Sequence, residues 1–271
     1  MRLIERLSGF LFVQISLTLI AYAFYACVVG LGLAPSVLVV TISFMRFIAP
    51  AIAEARVPET GAIVLFSMCI AGSFFLFFFF GLLLMGILMR ILSFGVKTGR
   101  HRAASLTTLF WMLESGIFTY VWRMILPFVP MTFVSQMFYR LAGCRIGKNV
   151  WINTLQLNDP SLVTIGDNTV IGGDAVIAPH VFENGRLILE RVRIGRDCLI
   201  GAEAYISPGV TIGDGSVIGL RAYIRKGTRV PPGSRLISPS GLPPYRVYEL
   251  ERGTRGGAQR TAQNGAQERS R

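Results

Sequence analysis

His180 is one of only two histidines in the 271-residue chain. It stands in Ile177-Ala178-Pro179-His180-Val181-Phe182-Glu183-Asn184. A histidine titrates near neutrality, so it suits proton removal from a hydroxyl or an amine. Such a base works best when a carboxylate fixes its tautomer, and Glu183 is the nearest carboxylate in sequence. The competing reading is a loop histidine held by ordinary hydrogen bonds. No metal is expected, because a three-histidine zinc site cannot be drawn from the single histidine of this region. Three copies of His180 on a symmetry axis would make only a structural site.

The elements that must position His180 are repeats. From Ile194 to Leu236 an aliphatic residue recurs every six positions, at Ile194, Ile200, Ile206, Ile212, Ile218, Ile224, Val230 and Leu236. Four residues after each of the first seven comes a small or β-branched residue: Cys198, Ala204, Val210, Ser216, Ala222, Thr228 and Ser234. The same pattern starts upstream at Ile165, Ile171 and Ile177, with Thr169, Ala175 and Val181 as the small partners. A fixed short period with one aliphatic and one small inward position predicts a parallel β-helix with a triangular coil. A glycine after the aliphatic residue suits the tight bend. Phase is lost after Ile177 and regained at Ile194, so Glu183 to Arg193 includes an excursion from the coil.

These units resemble the left-handed β-helix of hexapeptide-repeat acyltransferases over Cys144 to about Tyr248. The phrases Val230-Pro-Pro-Gly-Ser and Gly241-Leu-Pro-Pro-Tyr-Arg-Val are similar to the ending of CoA-dependent O-acetyltransferases. In that family the excursion shapes the acceptor site between subunits. The resemblance implies a homotrimer that uses acetyl-CoA or another acyl-CoA as donor. It implies pantetheine contacts from the backbones of Ala202 and Leu220. It places Arg225, Lys226 and Arg246 near the phosphates and adenine, where positive charge suits a phosphorylated nucleotide; arginines solvated on coil corners are the alternative. One departure stands out. In the sugar and thiogalactoside acetyltransferases, an asparagine occupies the position of His180 and the catalytic histidine follows in a longer loop.

The bulk numbers point to a membrane. Hydrophobic residues make up 52% of the chain and charged residues 15%, against about 25% charged in an average globular domain. The mean hydropathy is +0.54. The net charge of +12 comes without a basic helix interleaved with aromatics, so no nucleic-acid partner is expected. Cys27, Cys69, Cys144 and Cys198 form no Cys-x-x-Cys pair and no disulfide framework, which accords with a reducing compartment.

Gly9 to Leu33 is long and apolar enough to span a bilayer. It is too long for a cleaved signal peptide and lacks a cleavage motif. Pro35 is expected to break it. Ser36 to Pro50, with Arg46 inside, reads as a short span or an interfacial segment. Ala62 to Leu92 is the second clear span. Arg2 and Arg6 precede the first span, and Arg90, Lys97, Arg100, His101 and Arg102 end the second. The positive-inside rule puts both groups in the cytoplasm, which favours two crossings. Leu106 to Ala142, with Glu114, Arg123 and Arg140 interspersed and Pro127 and Pro130 splitting it, reads as amphipathic helices on the membrane surface. Arg252 to Arg271 reads as disordered.

A looser resemblance covers almost the whole chain. The order of spans, Leu141-Ala-Gly-Cys-Arg-Ile-Gly-Lys-Asn-Val150, Leu162-Val-Thr-Ile-Gly-Asp167 and His180-Val-Phe-Glu183 is similar to the membrane-embedded carboxy-terminal modules of poly-amino-acid synthetases, such as ε-poly-lysine synthetase. Those modules carry a histidine before Phe-Glu. The expected organisation is a transmembrane anchor (1–104), interfacial helices (105–143), a left-handed β-helix (144–250) and a tail (251–271). The expected protein is a multi-pass acyltransferase of the cell (inner) membrane with its β-helix in the cytoplasm. Its partners would be membrane lipids and a carrier protein or lipid-linked acceptor. The alternatives are an amide-forming module fed by a carrier-bound aminoacyl thioester and a non-catalytic trimeric scaffold.

Overall fold

A computed structural model describes residues 22–23, 26–27, 29–31, 33–54, 58–129, 132–236 and 246–248. The segment 1–21, which carries most of the expected first span with Arg2 and Arg6, lies outside the described residues. So do the phrase 241–245 and the expected tail.

Helix α1 runs Val29–Ala53 and helix α2 runs Glu59–Ser93. Both are long and apolar enough to cross a membrane. Pro35 does not break α1. Ser36 to Pro50 is not a separate segment but the body of the same helix. A proline inside a helix removes one hydrogen bond and crowds the preceding turn. Around Pro50 that strain is met by a π-helical turn at Phe44–Ile48, placed directly before it. The two helices touch edge to face at Phe44 and Phe66, with centroids 5.2 Å apart. Their outer surfaces are bare aliphatic and aromatic side chains, including Phe47, Ile63, Met68 and Phe75.

The carboxy-terminal half of α2 differs. Leu82, Met85 and Met89 are buried in one core that continues through α3 (Leu106–Met124) and α4 (Phe133–Leu141) into the β-helix. Ser105 and Thr132 cap α3 and α4, each accepting from a backbone N–H three residues on.

From Arg145 onward, two- and three-residue strands stack in parallel into three faces. The first carries Arg145–Ile146, Val163–Ile165, Val192–Ile194, Thr211–Ile212 and Arg229–Val230. The second carries Trp151–Ile152, Val170–Ile171, Leu199–Ile200, Val217–Ile218 and Arg235–Leu236. The third carries Val176–Ile177, Tyr205–Ile206, Ala222–Ile224 and Arg246–Tyr248. The repeating isoleucines point inward and are buried, as are Cys198, Ala204, Val210, Ser216 and Ala222. Val181 is an exception: it leaves the coil and is half-buried outside it.

The glycines after the aliphatic residues serve closeness rather than bending. Gly201 and Gly213 do not adopt positive φ. A Cβ on either would sit 2.5 Å from backbone of the next coil. The left-handed corner position falls three residues after the isoleucine, at Asp197, Glu203, Gly209, Gly215, Arg221 and Gly227.

Candidate functional site

Two successive coils run longer than the six-residue period, and both do so at the corner between the third and first faces. Leu157 pairs with Ile177 on the third face. The chain then needs eight positions to reach Ile165, and the next coil needs 17 to go from Ile177 to Ile194. The shorter break is the turn Asn158-Asp159-Pro160-Ser161. There Asp159 has φ 43°, and Leu162 N–H donates to its carbonyl at 2.8 Å. That left-handed backbone is uncommon outside glycine. It aims the buried Asp159 side chain toward the coil above.

The longer break is a β-hairpin. Its strands are β2 (His180–Glu183) and β3 (Arg186–Leu189), and β1 (Gly99–Arg102) adds to the far side of β3. The turn is Asn184-Gly185, with φ 50° and 69°. Two positive φ values match the twist of a two-residue hairpin, and Asn-Gly is its strongest sequence signal. Leu187 and Leu189 anchor it in a small core with Val96, Leu162, Phe110 and Trp111. Arg100, His101 and Arg102, read as a charged flank of a membrane span, are therefore part of the sheet that carries His180.

Stacking the two breaks brings His180 onto Asp159. His180 Nδ1 lies 2.5 Å from Asp159 Oδ2, and the Asp159 side chain is 2% exposed. Trp111 Nε1–H donates to Asp159 Oδ1 at 2.9 Å. The indole also meets the imidazole edge to face, with centroids 4.9 Å apart. Against an ionised Asp159, Nδ1 carries the proton and donates it, leaving Nε2 as the basic atom. The His180 side chain is 30% exposed. Burial lowers its pKa, but the Asp159 charge and hydrogen bond outweigh that and hold it above 6.5. The dyad can accept a proton from a group that reaches the open edge of the ring.

Glu183 does not orient His180. The two side chains alternate along β2, and Glu183 pairs with Lys226 instead. The carboxylate that holds the ring is Asp159. The reason is stacking: a residue 21 positions away in sequence is one coil away in space.

Sequence reasoning missed Asp159, Trp111 and Glu114. The signal for Asp159 was the eight-residue gap before Ile165, a second loss of phase. Trp111 and Glu114 sit three apart on α3 and therefore share a face. A lone acidic residue in an apolar helix was the available sign. Glu114 is fully buried, and neither carboxyl oxygen has a hydrogen-bond partner among the described residues. Burial first, then the Asp159 charge, push its pKa up to about 9, with the nearby Ser161 hydroxyl pulling the other way. It is a neutral carboxylic acid at neutral pH.

The residues expected to hold the donor fall at the two edges of the third face. Ala202 and Leu220 stack at the corner before it, where Arg221 N–H donates to the Ala202 carbonyl at 2.9 Å. Arg225 and Lys226 lie at the corner after it, beside the hairpin, and Lys226 is engaged by Glu183. Arg246 opens the last strand of that face, opposite Ala222. Between the edges lies an open groove of about 590 Å³ lined by Gln156, Asp174, Val176, Glu203, Tyr205 and Tyr223, the two tyrosine rings stacked 5.3 Å apart. Among the described residues no cluster of three metal-ligating side chains occurs.

Residues 162–179 and 191–229 match the family described as the hexapeptide repeat of succinyl-transferase. The gap between the two matches is the hairpin. The Bacillus subtilis protein named "Putative acetyltransferase YvoF" is 28% identical over 129 residues, covering 44% of this chain and 75% of that protein. Galactoside O-acetyltransferase of Escherichia coli is 34% identical over 83 residues, or 28% of this chain and 41% of the enzyme. Delta-poly-L-ornithine synthetase of Acinetobacter baumannii is 26% identical over 117 residues, or 41% of this chain and 9% of the synthetase.

Proposed function

We propose that this chain, which belongs to the hexapeptide-repeat acyltransferase family, moves an acyl group from a CoA thioester to a hydroxyl or amine at the membrane, with His180 as general base. The supporting observation is the 2.5 Å contact from His180 Nδ1 to a buried Asp159 beside a partly open ring. His180 Nε2 takes the proton from the acceptor. The acceptor oxygen or nitrogen attacks the thioester carbonyl carbon. Collapse of the tetrahedral adduct breaks the carbon–sulfur bond, and the departing thiolate takes the proton from Nε2. Asp159 keeps the tautomer and balances the imidazolium that forms in between. Trp111 holds Asp159 and shields the pair from water.

In this reading acetyl-CoA is the donor, in keeping with the acetyltransferases among the relatives. The arm of the donor passes Ala202 and Leu220, while Arg225 and Arg246 serve its phosphates. The helices α1 and α2 hold the protein in the cell membrane with the β-helix in the cytoplasm, where CoA thioesters are found. The assembly is a homotrimer, and the acceptor is lipid-linked. The test is calorimetry and turnover with acetyl-CoA on the detergent-solubilised full chain. Saturable binding with turnover that His180→Ala abolishes is the expected result; binding with unchanged turnover in His180→Ala would remove His180 from the chemistry.

A second reading rests on the similarity to the poly-ornithine synthetase. The donor is then an aminoacyl thioester on a carrier protein, and the product an amide. It predicts no binding of free acetyl-CoA and turnover only with a loaded carrier.

A further inference from the structure

We propose that Phe182, backed by Trp111, is the seat of the acceptor beside His180, and that the acceptor carries a flat apolar group next to its nucleophile. This names part of the substrate of the same site and rests on the acyl transfer proposed above. Side chains alternate along a strand, so His180 and Phe182 stand on one face of β2, about 7 Å apart along the chain. Trp111 meets both rings, the imidazole at 4.9 Å and the phenyl at 5.9 Å between centroids. The three rings form one wall. Its inner side is fixed: Trp111 Nε1–H is tied to Asp159. Leu187 and Leu189, directly opposite Phe182 and His180 across the hairpin, are fully buried. Its open side is the exposed part of the His180 ring and Phe182, which is 48% exposed. A single exposed phenyl is ordinary. This one lies two residues from the base and shares a tryptophan with it.

The charges of the hairpin sheet are on its other face. Register puts Arg102, Arg186 and Glu183 on one rung, and Arg100 on a rung with Ile188 and Val181. By alternation all four charged side chains leave from the face opposite Phe182. The other titratable group that the sheet places on the face of the wall is His101, and its Nε2 is held by the Lys97 carbonyl at 2.7 Å. A charged group beside the nucleophile would therefore lose water against this wall and meet no counter-charge. A flat apolar group loses little there and gains a stacked or edge-on contact with the phenyl. Seated on Phe182, it sets the adjoining hydroxyl or amine at the open edge of His180.

The experiment uses the detergent-solubilised full chain with Trp122→Phe and Trp151→Phe, which leaves Trp111 as the one indole. The probes are 4-nitrobenzyl alcohol and 4-nitrobenzylamine, whose nitrophenyl ring quenches a tryptophan that it touches. Saturable quenching of Trp111 by at least one probe is expected. Phe182→Ala should weaken that binding about tenfold, and Phe182→Tyr should keep it within about twofold. With acetyl-CoA as donor, Phe182→Ala should raise KM for the probe more than it lowers kcat. Quenching that saturates for neither probe overturns the proposal, and so does equal affinity in Phe182→Ala. A protein that keeps only Trp151 shows partition into detergent; equal quenching there overturns the proposal as well. Saturable binding that Phe182→Ala weakens, with no turnover of either probe, supports the seat and counts against the acyl transfer instead.

Discussion

The coils from Val192 to Leu236 and the corner where two coils break phase are made from one sequence pattern, yet they do different work. In the regular coils each isoleucine meets its counterpart one coil on. Every outward position is set by a neighbour in register, and the buried residues are interchangeable in kind. At the broken corner nothing repeats. A left-handed Asp159, an Asn-Gly hairpin and a tryptophan from a helix far upstream meet once. Regularity stores stability, and departure from it creates a place where a polar cluster can be held dry.

That contrast is broken most sharply by a pair of substitutions. His180→Ala is expected to lower turnover by about 10²–10⁴-fold, far beyond what the accompanying fall in melting temperature, caused by leaving the buried Asp159 without its partner, accounts for. Ile200→Ala, in a fully buried regular position, is expected to cost about 2–4 kcal/mol of stability while each folded molecule keeps its turnover. Activity and thermal melting on both variants decide the matter; equal behaviour would erase the distinction.

Glu114 tests what the dry corner costs. Its pKa is about 9 folded against about 4.5 unfolded, so the unfolded state gives up its proton first. The Glu114 contribution to stability is then greatest below pH 4.5 and falls as pH rises toward 9. Between pH 5 and 8 this amounts to about 4 kcal/mol. Glu114→Gln is expected to flatten that slope in thermal unfolding measured across the range.

Asp159→Asn has a smaller effect, about 10–100-fold on turnover, and a distinct signature. In the natural protein, kcat/KM falls as pH drops through a His180 pKa above 6.5. With the carboxylate gone, burial of the ring still acts, so the inflection moves to lower pH. A pH–rate profile that does not move would show that Asp159 leaves the ring untouched. Smallest is Lys226→Ala. Both partners of the Lys226–Glu183 pair are well exposed, and its loss is expected to change stability by less than about 1 kcal/mol. A larger drop in melting temperature would mean that the hairpin depends on this tie.

The β-helix was legible because its information is local. A six-residue period with an inward aliphatic and a small partner is satisfied coil by coil, and Ile194 to Val230 could be placed inside from sequence. The hairpin was half legible. The loss of phase at His180 was visible, but Asn184-Gly185 as its turn and Gly99–Arg102 as its third strand were not drawn from it. The course of α1 through Pro35 was misread, because a proline's cost depends on whether neighbouring turns relax around it.

Sequence alone determined the period, the inward residues, the apolar helices and the suspicion attached to His180. These are properties of short windows, where side-chain type and spacing decide the outcome. Only the tertiary structure decided which carboxylate His180 meets. Asp159 wins over the nearer Glu183 because strand alternation points Glu183 away, while stacking of one coil on the next places Asp159 beneath the ring. Trp111 completes the site from a helix 48 positions before Asp159, a contact that exists only once α3 has packed against the end of the β-helix.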